Sequence, residues 1–147
     1  MSRSRLLNQN LLLAALLMTA SAVLWAEAVV GESLRGVLGE LEPEETVAVI
    51  IYFAKRADLA DLQAMSPGQR RAALPVLLKR HATDTQSSLK AHLHSHGITR
   101  FKTLWINNSL AVTVPASMVA SLATRPEVER IDLDVTVDLP SPVNGRR

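Results

Sequence analysis

The histidines are the residues whose type and spacing could support chemistry in this 147-residue sequence. His92, His94 and His96 alternate, and His81 lies upstream of them. On a strand the alternation would place three imidazoles on one face, which suits a metal ion, whereas on a helix His92 and His96 alone share a face. The surrounding pattern indicates the end of a helix. We therefore expect a solvated helix end, with no metal site and no cofactor.

No other group of residues forms a recognisable catalytic set. The sequence lacks a Gly-x-Ser-x-Gly elbow, a His-Glu-x-x-His motif and a glycine-rich phosphate loop. A nucleophilic serine needs a base and a third group that orients the base, and no spacing here selects such a trio. We therefore expect a protein that is not an enzyme. The net charge of +2, without a basic patch containing aromatic residues, also argues against a nucleic-acid partner.

The N-terminus has the pattern of an export signal. Two arginines precede an apolar run from Leu11 to Leu24, and Ala26-Glu27-Ala28 fits the rule for signal cleavage. Ala20-Ser21-Ala22 is a second possible cleavage site. The apolar run is shorter than the roughly 20 residues that a spanning helix needs. We expect residues 1–28 to be removed and the protein to be exported to the periplasm or beyond, without stable membrane insertion. The alternative is an uncleaved signal that tethers the protein.

The rest of the chain alternates between strand and helix patterns. Residues 29–44 contain three glycines, which predict a flexible lead-in or one loose helical turn. Thr46–Phe53 is β-branched and aromatic, as in a strand buried on both faces or nearly so. Ser66-Pro67-Gly68-Gln69 has the form of a helix start, and a helical pattern follows as far as His96. Within it, Pro75 predicts a kink or a restart of the helix.

The second half of the chain predicts a hairpin, a short helix and a last strand. Ile98–Trp105 and Ser109–Val114 form the hairpin, a short helix runs from Pro115 to Thr124, and Val128–Val137 is the last strand. The βαββαβ order is that of an α+β, ferredoxin-like plait, in which two helices cover one face of a four-stranded antiparallel sheet. The first strand is apolar on both faces, so an apolar face is left uncovered. Such a face predicts a surface for a partner or for a second copy.

From about Glu45 to Val137 the chain resembles the inhibitor I9 domain, the propeptide module of subtilisin-like serine proteases. Four segments carry the resemblance and occur in the family's order. They are the strand VAVIIYF, the helix end His96-Gly97-Ile98, the hairpin segment Trp105–Val112, and Leu122–Ile131 followed by Asp132. We therefore expect an inhibitor I9-like domain at 45–137 and a C-terminal tail at 138–147.

The resemblance implies a non-catalytic inhibitor or folding chaperone of a subtilisin-like serine protease. Domains of this family pack their open sheet face on two protease helices, and their C-terminal extension lies in the active-site cleft like a substrate. Acidic side chains at the sheet rim would then meet the N-termini of the protease helices. The partner-binding residues implied here are Trp105, Asn107, Asn108, Glu129, Asp132, Asp134, Val135, Thr136, Val137, Asp138 and Leu139.

Two other interpretations remain open at this point. In the first, the chain keeps the fold alone and serves as a structural module that associates with itself through the sheet. In the second, it is a small exported protein that responds to metal through His92 and His96. For the inhibitor, we expect a free monomer whose partner is the protease.

Overall fold

The computed structural model describes residues 28–135, and within that range the protein is α+β with five strands and four helices. The strands are β1 (Val29–Val30), β2 (Thr46–Phe53), β3 (Phe101–Leu104), β4 (Ser109–Pro115) and β5 (Val128–Leu133). The helices are α1 (Glu32–Leu38), α2 (Ala60–Gln63), α3 (Pro67–Ser95) and α4 (Ala116–Ala123). None of these helices is long and apolar enough to cross a membrane. The predicted signal, apart from Ala28, and the predicted tail lie outside the described residues.

The strands form one mixed sheet in the order β1-β5-β2-β4-β3. β2 pairs antiparallel with both β4 and β5, and β3 pairs antiparallel with β4. β1 pairs parallel with β5 and places Val29 opposite Arg130. The expectation of a four-stranded, wholly antiparallel sheet is therefore corrected, because a fifth strand lies at the β5 edge and runs parallel to its neighbour.

The side chains of β2 alternate between two environments, as the period of a strand requires. The buried set consists of Val47, Val49, Ile51 and Phe53, and the half-buried set consists of Ala48, Ile50 and Tyr52. Leu89 and Leu93 of α3 and Leu122 of α4 belong to the same core cluster as the buried set. The predicted strand is confirmed, but one of its faces is packed by helices and the other is half-buried.

α3 is one continuous helix whose two ends follow the sequence signals. At its start the Ser66 amide N–H donates to Gln69 Oε1 over 3.1 Å. At its end Gly97 has a φ of 76°, and the Ile98 amide donates to the Leu93 carbonyl over 3.0 Å, which is the Schellman arrangement. The predicted restart at Pro75 does not occur, since one helix runs through this position. The carbonyl that loses its helical partner there belongs to an exposed residue, so water can satisfy it.

Residues 29–44 are not the loose lead-in that their glycines predicted. They contain β1 and the seven-residue α1, whose Leu34 is fully buried in the core cluster. The Gly31 amide donates to the Ile131 carbonyl over 2.9 Å, and a Cβ at Gly31 would lie 2.7 Å from Asp132 Oδ1. A side chain at this position would therefore have to displace the Asp132 carboxylate. Packing against β5 therefore overrides the low helix propensity of the segment.

Ala28 is the first residue that the structure describes. This residue is buried, and its amide donates to the Ala123 carbonyl at the end of α4 over 2.9 Å. Cleavage after Ala28 would remove this hydrogen bond, whereas cleavage after Ala22 would keep it.

We predict that Leu34→Ala lowers the free energy of unfolding by about 2–5 kcal/mol, since it leaves a cavity in the core. The matched control is Ser33→Ala, which changes an exposed neighbour in the same helix. Chemical denaturation of both variants measures the difference. Equal midpoints for the two variants would contradict the packing described for α1.

Candidate protein-binding face

The face of the sheet that points away from α3 and α4 is the candidate site, and we call it the open face. Its members are the half-buried or exposed side chains of Ala48, Ile50, Tyr52, Lys102, Leu104, Ala111, Thr113, Arg130 and Asp132. Ile50 lies at its centre, opposite Ala111 on one neighbouring strand and Asp132 on the other. The open face is therefore apolar along its middle and charged toward both edges.

On the β5 side of the open face, charged side chains pair with one another. The Arg130 guanidinium lies 4.4 Å from the centroid of the Tyr52 ring, which is a cation–π distance. Arg130 Nε also lies 3.0 Å from Asp132 Oδ2. Asp132 is thus held by a neighbour on its own strand. Its carboxylate is already partly neutralised before any partner arrives.

A second ion pair stands at the end of the open face. Arg56 Nη2 donates to both carboxylate oxygens of Glu129, at 2.9 and 2.7 Å. Both side chains are largely exposed, so the pair adds about 1 kcal/mol or less to stability and can re-pair with a partner at little cost. Together they border a depression of about 520 Å³, lined by Val29, Tyr52, Arg56, Asn107, Glu129 and Arg130.

The hairpin turn carries three of the predicted partner-binding residues, and the structure places them differently. Asn107 is exposed, lines the depression and accepts a hydrogen bond from the Ser109 hydroxyl at 2.9 Å. Trp105 is half-buried on the α3 side, where Lys79 Nζ lies 5.2 Å from its ring centroid. Asn107 therefore adjoins the open face, whereas Trp105 does not.

Asn108, the third of these residues, lies inside the domain. It is 6% exposed and has a φ of 48°. Its Oδ1 accepts hydrogen bonds from Thr85 Oγ1 and Gln86 Nε2, each at 3.1 Å. Its Nδ2 donates to the Lys55 carbonyl at 3.0 Å. Asn108 thus ties the hairpin turn to α3 and to the chain that follows β2, which is a structural role.

Thr85 and Gln86 were not identified as important from the sequence, although they hold the hairpin in place. Gln86 is fully buried and its Nε2 also approaches the Ser109 carbonyl at 3.3 Å. The sequence could have revealed Gln86 through its position on the apolar face of α3, because a buried amide needs a polar partner.

The start of the predicted cleft-binding stretch is visible at the end of β5. The Asp134 amide donates to the Ala48 carbonyl at 2.9 Å and so extends the pairing with β2 by one residue. Asp134 is exposed, and Val135 is 61% exposed. The other predicted residues of this stretch lie outside the described part of the chain, namely Thr136, Val137, Asp138 and Leu139.

The three predicted acidic residues are not brought into one cluster. Asp132 lies on the open face and Asp134 follows directly after β5, whereas Glu129 lies toward the other end of the strand, next to a register shift between Tyr52 and Phe53. Comparison of the chain with protein-family models, curated proteins and solved structures found no match.

We predict that Asn108→Ala lowers the free energy of unfolding by about 2–4 kcal/mol, because it leaves buried polar groups unpaired and places alanine at a positive φ. Asn107→Ala, one position away and exposed, is the control and should change stability by about 0.5 kcal/mol or less. Denaturant midpoints measure both. An Asn108→Ala variant as stable as the control would contradict the role of this network.

Proposed function

We propose that this chain is a non-catalytic inhibitor or folding chaperone of a subtilisin-like serine protease. In this proposal the open face packs on the protease surface and the C-terminal tail enters the active-site cleft. The N-terminal signal pattern supports an encounter outside the cytoplasm.

We also propose that the domain is a ferredoxin-like plait to which β1 and α1 have been added. The four longer strands support this view. They pair antiparallel in the order β5-β2-β4-β3, and α3 and α4 follow the βαββαβ order. The added β1 pairs with β5 at Arg130 and Ile131.

The observation that carries the functional proposal is the composition of the open face. Its centre is apolar, with Ile50 and Tyr52 half-buried although they lie on the central strand. Side chains of that kind gain about 25 cal/mol for each Å² of apolar surface that a partner removes from water. The charges around them would form the polar rim that protein interfaces have.

The tail is the second part of the proposal. It begins beside the open face, since Asp134 still pairs with Ala48 and the chain then leaves the sheet. An extended peptide can add a strand to the edge of a protease cleft through its main-chain groups. Pro140 lacks an amide hydrogen, so Val135–Leu139 is the stretch best suited to such pairing.

The acidic residues are not equivalent in this proposal. Glu129 and Asp132 pair with arginines of the same domain. Asp134 is exposed and stands next to the origin of the tail. We therefore assign to Asp134 the contact with the positive N-terminal end of a protease helix.

We predict that the purified protein slows peptide hydrolysis by a subtilisin-like protease and that Ile50→Glu weakens this inhibition about tenfold or more, since it places a charge in the apolar centre of the interface. Ala91→Glu, an exposed change on α3, is the matched control and should inhibit like the parent. Truncation after Leu133 should also weaken inhibition. Inhibition constants and circular dichroism of each variant provide the measurement.

Two outcomes would count against the proposal. The first is that a panel of subtilisin-like proteases shows no inhibition by the folded protein. The second is that Ile50→Glu and Ala91→Glu weaken inhibition equally. A stable dimer that Ile50→Glu dissociates would instead favour the alternative, in which the open face binds a second copy.

A further inference from the structure

The C-terminal end of α3 brings two histidine rings together at a surface that the proposed function does not use. The ring centroids of His92 and His96 are 4.5 Å apart, with their planes inclined by 53°. His94 points elsewhere and packs edge-on against Phe101, with centroids 5.3 Å apart. The alternation seen in the sequence therefore resolves into one pair and one separate histidine.

A hydrogen bond fixes the tautomer of His96. Its Nδ1 lies 2.9 Å from the carbonyl oxygen of His92. A carbonyl can only accept, so Nδ1 carries the hydrogen, and Nε2 of the neutral ring keeps its lone pair. Histidines that bind metals are commonly oriented in this way, because a carbonyl that accepts from one ring nitrogen leaves the other free as a ligand.

His92 is suited to act as the second ligand. Burial lowers the pKa of His92, and the positive charge of Arg125 lowers it further, while Glu127 opposes them. Arg125 is itself paired with Glu127 at 2.7 Å and donates to Ser88 Oγ at 3.0 Å, which reduces its repulsion of a cation.

We propose that His92 and His96 bind one divalent late transition-metal ion, Cu²⁺ most tightly, with water completing its coordination. Two imidazoles suit copper, nickel and zinc rather than calcium or magnesium, and the affinity of a given site for these metals peaks at copper. Within residues 28–135 no group of three or more histidine, cysteine or acidic side chains could hold a metal ion. The site is therefore a two-ligand site that stays open to solvent.

The bound ion would join two successive turns at the end of α3, just before the Schellman ending at Gly97. His92 belongs to α3 and His96 caps its C-terminus, and this helix packs on the opposite side of the sheet from the open face. Metal binding is therefore independent of the proposed protease contact, and an experiment can disprove either proposal without affecting the other.

Calorimetric titration of the untagged protein with CuCl₂ and ZnCl₂ tests the site, together with electron paramagnetic resonance of the copper complex. We expect one ion per chain, tighter binding of Cu²⁺ than of Zn²⁺, and hyperfine coupling from two imidazole nitrogens. His92→Gln and His96→Gln should each weaken Cu²⁺ binding about tenfold or more. His94→Gln, on the same turn but outside the pair, is the matched control and should bind like the parent.

Three results would overturn the proposal. They are the absence of Cu²⁺ binding at millimolar concentrations, equal weakening in His94→Gln and His96→Gln, and binding that survives in both His92→Gln and His96→Gln. Circular dichroism of each variant would show that α3 remains folded, so that a loss of binding reports on the ligands.

Discussion

The packing of one face of β2 against α3 and α4 is the constraint on which the rest of the structure depends. β2 is the central strand, and its buried side chains meet both helices in a single core cluster. Because side chains of a strand alternate, fixing Val49 and Ile51 inward turns Ile50 and Tyr52 outward. The same register aligns Ile50 with Ala111 and Asp132. The open face is thus a direct consequence of how the core is filled.

Much of this arrangement could be predicted from local patterns. β2, the hairpin, α4 and β5 follow from alternation and turn residues, and both ends of α3 follow from Ser66 and Gly97. The segment 29–44 could not be predicted in this way, because its order depends on Leu34 entering a core made by distant residues. Similarly, α3 continues through Pro75 because water can bind the carbonyl that loses its helical partner. Helix propensity alone does not predict this, since it contains no information on solvent exposure.

The details of the candidate site were less accessible to sequence reasoning than the fold. Turn chemistry indicated Asn108, but its burial and its bonds to Thr85 and Gln86 depend on how the hairpin meets α3. The stacking of Arg130 on Tyr52 depends on strand register. A register shift after Tyr52 also separates Glu129 from Asp132 and Asp134. Of the three predicted acidic residues, Asp134 is therefore exposed near the tail, whereas Glu129 and Asp132 are already paired with arginines.

Tyr52 and Trp105 offer the most direct test of the central claim, that the open face is the protein-binding face. Tyr52 is the only tyrosine of the chain and lies on the open face, whereas Trp105 lies on the α3 side. Hydroxyl-radical footprinting, read by mass spectrometry, compares the oxidation of both rings with and without an inactivated subtilisin-like protease. Our account predicts that the protease protects Tyr52 and leaves Trp105 unchanged. Protection of Trp105 with no change at Tyr52 would contradict it.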